Sequence, residues 1–142
     1  LDEPNLALPT GAILFVSVVV PAIIAGVWTL AGWIAGNPVW PIAGLAGAAV
    51  VALSAILSTL ATVPWIPKPA STAGLAWMAG SALRGMLSIA GGLLLYSAPP
   101  FGWSEDLAKG ASPLLFAVAT AWFVALLAEV AVIARHVLRA NP

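Results

Sequence analysis

From Pro4 to Pro67 the chain contains no Asp, Glu, Lys or Arg. No water-facing surface of ordinary composition can be built from such a run. It is long enough for two membrane spans of about 20 residues with a turn between them. The rest of the sequence agrees. Hydrophobic residues make up 62% of the 142 positions and charged residues 7%, whereas a soluble domain carries about 25% charged residues. The fold expected is therefore all-α and integral to a membrane: a bundle of four transmembrane helices in a single domain, residues 1–142.

The punctuation of the chain places those helices at about 11–36, 41–63, 72–97 and 113–138. Gly36-Asn-Pro-Val-Trp-Pro41 reads as a compact turn, because Asn37 precedes a proline and Pro41 suits a first helical turn. Pro64, Pro67 and Pro69 end the second helix, since proline cannot continue the hydrogen-bond ladder. Pro99-Pro100 stops the third. The loop Phe101–Gly110 is the most polar part of the chain, and its Glu105-Asp106 pair reads as solvated. Ser112-Pro113 reads as an N-cap and first-turn pair. Pro21, inside the first span, reads as a tolerated kink. Leu1 opens the sequence, so the native start is expected upstream, and no signal peptide is evident ahead of the first span.

Four spans put both termini on one side, together with Lys68, Arg135 and Arg139, and leave Lys109 on the other. The excess of positive charge marks the side of the termini as cytoplasmic. Trp40, Trp65 and Trp103 fall at the expected interfaces, where an amphipathic ring is favoured.

Two charges stand inside apolar segments: Arg84 in the third and Glu129 in the fourth. A guanidinium does not lose its proton in a protein, and at bilayer depth it needs a partner, water or a task. At 1.5 Å per residue, Arg84 lies about 18 Å from the cytoplasmic start of its helix and Glu129 about 9 Å from the same face. Helical side chains lean toward their own N-terminus. The two helices run in opposite directions, so the two side chains lean toward each other. The simplest expectation is an ion pair between helices three and four. The alternatives are contact with an ion path or a partner subunit, or a Glu129 that snorkels while Arg84 meets lipid phosphate or water.

Arg84 shares about 140° of helix surface with Gly80, Ser81, Gly85, Ser88, Gly91 and Gly92. Small residues let helices approach closely in lipid, and serines can bond across the contact. Gly80, Ser81, Gly85, Ser88 and Gly92 are thus the expected packing residues. Ala121, Ala125 and Ala128 offer a matching surface beside Glu129. The pairs Gly32/Gly36 and Gly44/Ala48 have packing spacing too.

No enzymatic constellation stands out. The sequence holds one His, His136, at the basic end of the last helix, and no Cys. It reads as a surface residue, and no span carries a central His to hold a haem. No P-loop, metal signature or nucleophile–base pair is present. No cofactor and no bound metal are expected. The formal charge is zero, which argues against nucleic acid as a partner. The partners expected are membrane lipid and other transmembrane subunits.

Several of these features together resemble the ATP synthase protein I family, subunit I of bacterial F-type ATP synthases. They are the turn Asn37-Pro38-Val39-Trp40 and the small-residue span Ala43-Gly44-Leu45-Ala46-Gly47. They include Gly80-Ser81-Ala82-Leu83-Arg84, and Leu126-Leu127-Ala128-Glu129 followed by Arg135-His136-Val137-Leu138-Arg139. The resemblance covers most of the chain. It implies a non-enzymatic accessory protein of the bacterial inner membrane that assists assembly of the ring of c subunits, and a divalent-cation transport role has been proposed for that family. A third expectation is a small scaffold subunit of a photosynthetic or respiratory complex.

Overall fold

The computed structural model describes residues 5–97 and 111–140. Among them are four helices, each long and apolar enough to cross a membrane: α1 Thr10–Ile34, α2 Val39–Thr62, α3 Ala70–Ser97 and α4 Ala111–Ala140. In lipid a segment must satisfy its own backbone, which is why such apolar runs form helices. The expected boundaries shift by two residues or fewer at every end. Ser112 lies inside α4, not ahead of it, since that helix starts at Ala111. The loop Phe101–Gly110, with Trp103, Glu105, Asp106 and Lys109, falls outside the described residues.

The α1–α2 turn is closed by a Schellman motif. Gly36 takes φ 63°, where only glycine avoids a Cβ clash. Its N–H donates to the Trp33 carbonyl (3.2 Å) and that of Asn37 to the Gly32 carbonyl (2.9 Å), so the last carbonyls of α1 are satisfied. Asn37 Oδ1 then accepts the Val39 N–H at 3.0 Å, starting α2. Gly36 is therefore a helix terminator. Of the Gly32/Gly36 pair only Gly32 packs, with no room for a Cβ against Pro41 and Trp40.

At the other end of α2 the same backbone region is filled by Val63, at φ 46°. A β-branched residue is strained there, by about 1–2 kcal/mol. Val63→Gly is accordingly expected to leave thermal stability unchanged or raise it by about 1 kcal/mol. A fall of that size in the unfolding free energy in detergent would show that Val63 contributes more by packing than it loses by strain.

A short antiparallel ribbon, unforeseen from the sequence, ties the N-terminal segment to the α2–α3 linker. β1 (Asn5–Leu6) pairs with β2 (Lys68–Pro69), in the register Asn5 to Pro69 and Leu6 to Lys68. Leu8 N–H adds a bond to the Pro64 carbonyl at 3.1 Å. Far along the chain, His136 Nε2 donates to the Ala7 carbonyl at 3.2 Å. His136 is therefore half-buried and pins α4 to this strap, where a free surface position was expected.

The hub of the bundle is α2. Buried positions make up 56% of its apolar stretch, against 22–28% in the other three helices. Its small residues are the cause. A Cβ on Gly44 would collide with the Trp28 side chain of α1. One on Gly47 would lie 2.9 Å from Val118 N and 3.0 Å from Ala117 C in α4. Helices α1, α2 and α4 pack mutually, while α3 lies against α2 and only lightly against α4. Ala43, Ala46 and Val51 of α2 form the apolar core with Leu114, Val118 and Ala121 of α4. The α4 alanine surface expected to face α3 thus includes Ala121 packed in a core with α2.

Candidate functional site

Four helices each deliver polar side chains to one buried place. Arg84 (α3) is 3% exposed and Glu129 (α4) is fully buried. Arg84 Nη1 forms an ion pair with Glu129 Oε1. The opposed lean of side chains on antiparallel helices brings these two groups together.

The remaining donors of the guanidinium turn to α2. Arg84 Nε donates to Ser58 Oγ at 3.3 Å, and Nη2 lies 3.5 Å from Thr59 Oγ1. Ser58 Oγ donates onward to the Ala55 carbonyl at 3.0 Å. On the other side, Ser17 Oγ of α1 donates to Glu129 Oε1 at 2.5 Å. Ser17 sits one turn before Pro21, which has no N–H to offer the Ser17 carbonyl. The cluster is neutral overall, and it ties all four helices to one point. Low polarity around it strengthens each bond and raises the penalty for leaving any group unpaired.

Ser17, Ser58 and Thr59 are not among the sequence-derived site residues. Their signal was present. Ser54, Ser58 and Thr62 recur every fourth residue on α2, a polar stripe on an otherwise apolar helix. Ser17 is the one hydroxyl between Gly11 and Trp28. Serine and threonine are common enough in spans that neither signal singles out a residue.

The glycine–serine stripe of α3 divides between two neighbours. Gly80 meets Thr62 of α2, where a Cβ would come within 2.7 Å of Thr62 Cγ2, and Gly91 meets Val50 of α2 at 2.8 Å. Gly85 and Gly92 face α4 more loosely, with Trp122 and Val118 at 3.5 Å from a Cβ position. Ser88 is buried, and its Oγ has no hydrogen-bond partner. Ser81 lines a cleft and also lacks a partner for its Oγ.

Between α3 and α4 the loose contact leaves a groove of about 460 Å³. Gly85, Ser88, Ile89 and Leu93 form one wall; Leu115, Val118, Ala119 and Trp122 form the other. Its surface is almost wholly apolar, yet Ser88 Oγ and Trp122 Nε1 on its walls are without partners.

Among the described residues no three His, Cys, Asp or Glu side chains come together as a metal set. Glu129 meets Arg84 and Ser17 through Oε1, while its Oε2 is buried without a partner.

Fold and site together define a helical protein of four apolar spans, organised around one internally neutralised charge pair. No protein family matches the chain, and no curated protein or solved structure does.

Proposed function

We propose that this chain is a non-enzymatic accessory or assembly subunit that packs into a larger bioenergetic complex of the bacterial inner membrane, with both termini cytoplasmic. The observation that carries this reading is the α3–α4 groove. It is apolar, and Gly85, Ser88 and Ala119 let a neighbour approach between the larger side chains, a form that suits another transmembrane helix. The charges at depth are already matched within the bundle, so the chain presents a fixed shape, not a reactive group. The resemblance to ATP synthase protein I suggests the F-type ATP synthase as the first complex to examine.

A photo-crosslinking residue at Ile89 or Leu115, both on the groove, tests the proposal in native membranes. The expected result is a crosslink to a span of a larger complex that also co-purifies with the chain. Crosslinks to lipid alone, with the chain running free of any complex, would reject it. The competing cation-conduit reading needs an available carboxylate at depth, and Glu129 is engaged by Arg84 and Ser17 through Oε1, with Oε2 shut off from solvent. Cation flux into liposomes that disappears in Glu129→Gln would revive that reading.

A further inference from the structure

A second cavity opens at the strap end of the bundle, between the last turn of α2, the first turns of α3 and the N-terminal segment. Apolar side chains, among them Leu6, Leu8, Ile13 and Ile66, make up most of its wall. Its polar groups are two cations, the indole N–H of Trp77 and the hydroxyls of Ser58, Thr59, Thr62 and Ser81. Arg84 closes the inner end, and Lys68 stands at the more exposed end. Trp77 Nε1 and Ser81 Oγ are both shut off from solvent, and neither has a partner. Trp77, Ser81 and Arg84 follow one another at positions i, i+4 and i+7, so they line one face of α3. No carboxylate lines the cavity among the described residues.

The charge count is unequal. Glu129 neutralises Arg84 from the far side. Lys68 donates to the Thr62 carbonyl at 2.8 Å and has no acidic partner among the described residues. Among the described residues that leaves one cation without a counter-ion, an unpartnered indole N–H that can only donate, and, besides the bonded hydroxyls of Ser58, Thr59 and Thr62, an unpartnered hydroxyl on Ser81. Buried donors without acceptors are costly, and the group that satisfies them must bring acceptors and negative charge.

We propose that this cavity binds a phosphate group, carried by an anionic phospholipid or free in solution. A phosphate supplies several strong acceptor oxygens to Lys68, Trp77 and Ser81 at once. The fit is graded. The cavity is small, about 20 Å³ for the centre of a water-sized group. That is room for one such group. One oxygen enters the narrow inner end, and the rest of the phosphate stays at the mouth beside Lys68. The apolar wall beyond it suits the glycerol and acyl part of a lipid, and basic pockets between helices near a membrane face are known to hold such headgroups.

The test uses the full chain in a non-ionic detergent, with thermal unfolding and native mass spectrometry as readouts. Phosphatidylglycerol, phosphatidylcholine and inorganic phosphate are added separately. Phosphatidylglycerol is expected to bind about tenfold more tightly than phosphatidylcholine, the scale of one charge-assisted bond. Lys68→Met and Trp77→Phe are expected to remove most of that preference while keeping native helicity. Trp77→Phe keeps an aromatic ring and deletes the N–H, together with the second ring of the indole. If inorganic phosphate gives the same stabilisation with the same dependence on Lys68 and Trp77, the ligand is a free anion and the site stands. Equal binding of the two lipids with no phosphate effect would overturn the proposal and leave the cavity to water. Anion binding unaltered in both variants would overturn it as well. Neither outcome bears on the groove between α3 and α4, whose test is independent.

Discussion

Glu129→Met is expected to destabilise the bundle more than any other single change of side chain in the charge cluster. The substitution leaves Arg84, buried and permanently charged, without its counter-ion. Removing one member of a buried pair typically costs about 3–5 kcal/mol. The hydroxyls of Ser58 and Thr59 remain beside the guanidinium, but two neutral oxygens do not offset a full charge. Arg84→Met should cost less, because a carboxyl left alone in an apolar site can take up a proton and a guanidinium cannot lose one. The double variant Arg84→Met, Glu129→Met removes both charges and keeps similar volume. It is expected to return to within about 1–2 kcal/mol of the native protein, as buried pairs replaced by apolar residues commonly do. Reversible unfolding in mixed micelles measures all three. A double variant as unstable as the sum of the singles would show that the pair is not the unit that matters.

Gly47→Leu should have the second large effect, through sterics alone. The added Cβ would meet backbone atoms of Ala117 and Val118, and backbone cannot rotate away as a side chain can. Helices α2 and α4 must then separate, which opens the core formed by Ala43, Ala46, Val51, Leu114, Val118 and Ala121. Overpacking of this kind costs about 1–3 kcal/mol, and more where backbone must move. Gly26→Leu is the control, for nothing lies within 4 Å of a Cβ at that position on α1. It should be neutral within about 0.5 kcal/mol. Similar losses in the two variants, by unfolding midpoint, would mean that leucine harms α1 and α2 by some route other than the α2–α4 contact.

Much of the fold was legible because membrane spans advertise themselves. Prolines and the uncharged run locate the four helices to within a few residues. Position in the bundle was not legible in the same way. Glycine–serine stripes say that a helix will be approached closely, not by which neighbour. Gly80 and Gly91 turn to α2, Gly85 and Gly92 to α4, and nothing in their spacing tells the two cases apart. The central place of α2 rests on Gly44 and Gly47, one turn apart, admitting two different neighbours, α1 and α4, which needs three dimensions to see. The charges of the site could be read from their rarity, while the hydroxyls around them were hidden among the many hydroxyls a span tolerates. The ribbon of Asn5–Leu6 with Lys68–Pro69 is two residues on each strand and carries no periodic signal at all. Val63 was hidden for the opposite reason, since a left-handed backbone is expected at glycine.

The split of the charge cluster between the two halves of the chain also bears on how the protein enters its membrane. The first hairpin, α1 with α2, brings only hydroxyls to the cluster and no charge, so it can be inserted and left alone in lipid. The second hairpin cannot be treated one helix at a time. An unpaired arginine at the centre of α3 raises the free energy of that segment by about 2.5–3.5 kcal/mol on an insertion scale. Relief from a counter-ion comes only with Glu129, after α4 has been synthesised. Ser58 and Thr59, already in place on α2, offer Arg84 a provisional foothold. The late helix then completes what the early hairpin has begun, and α3 is expected to insert less efficiently when α4 is deleted or Glu129 is replaced.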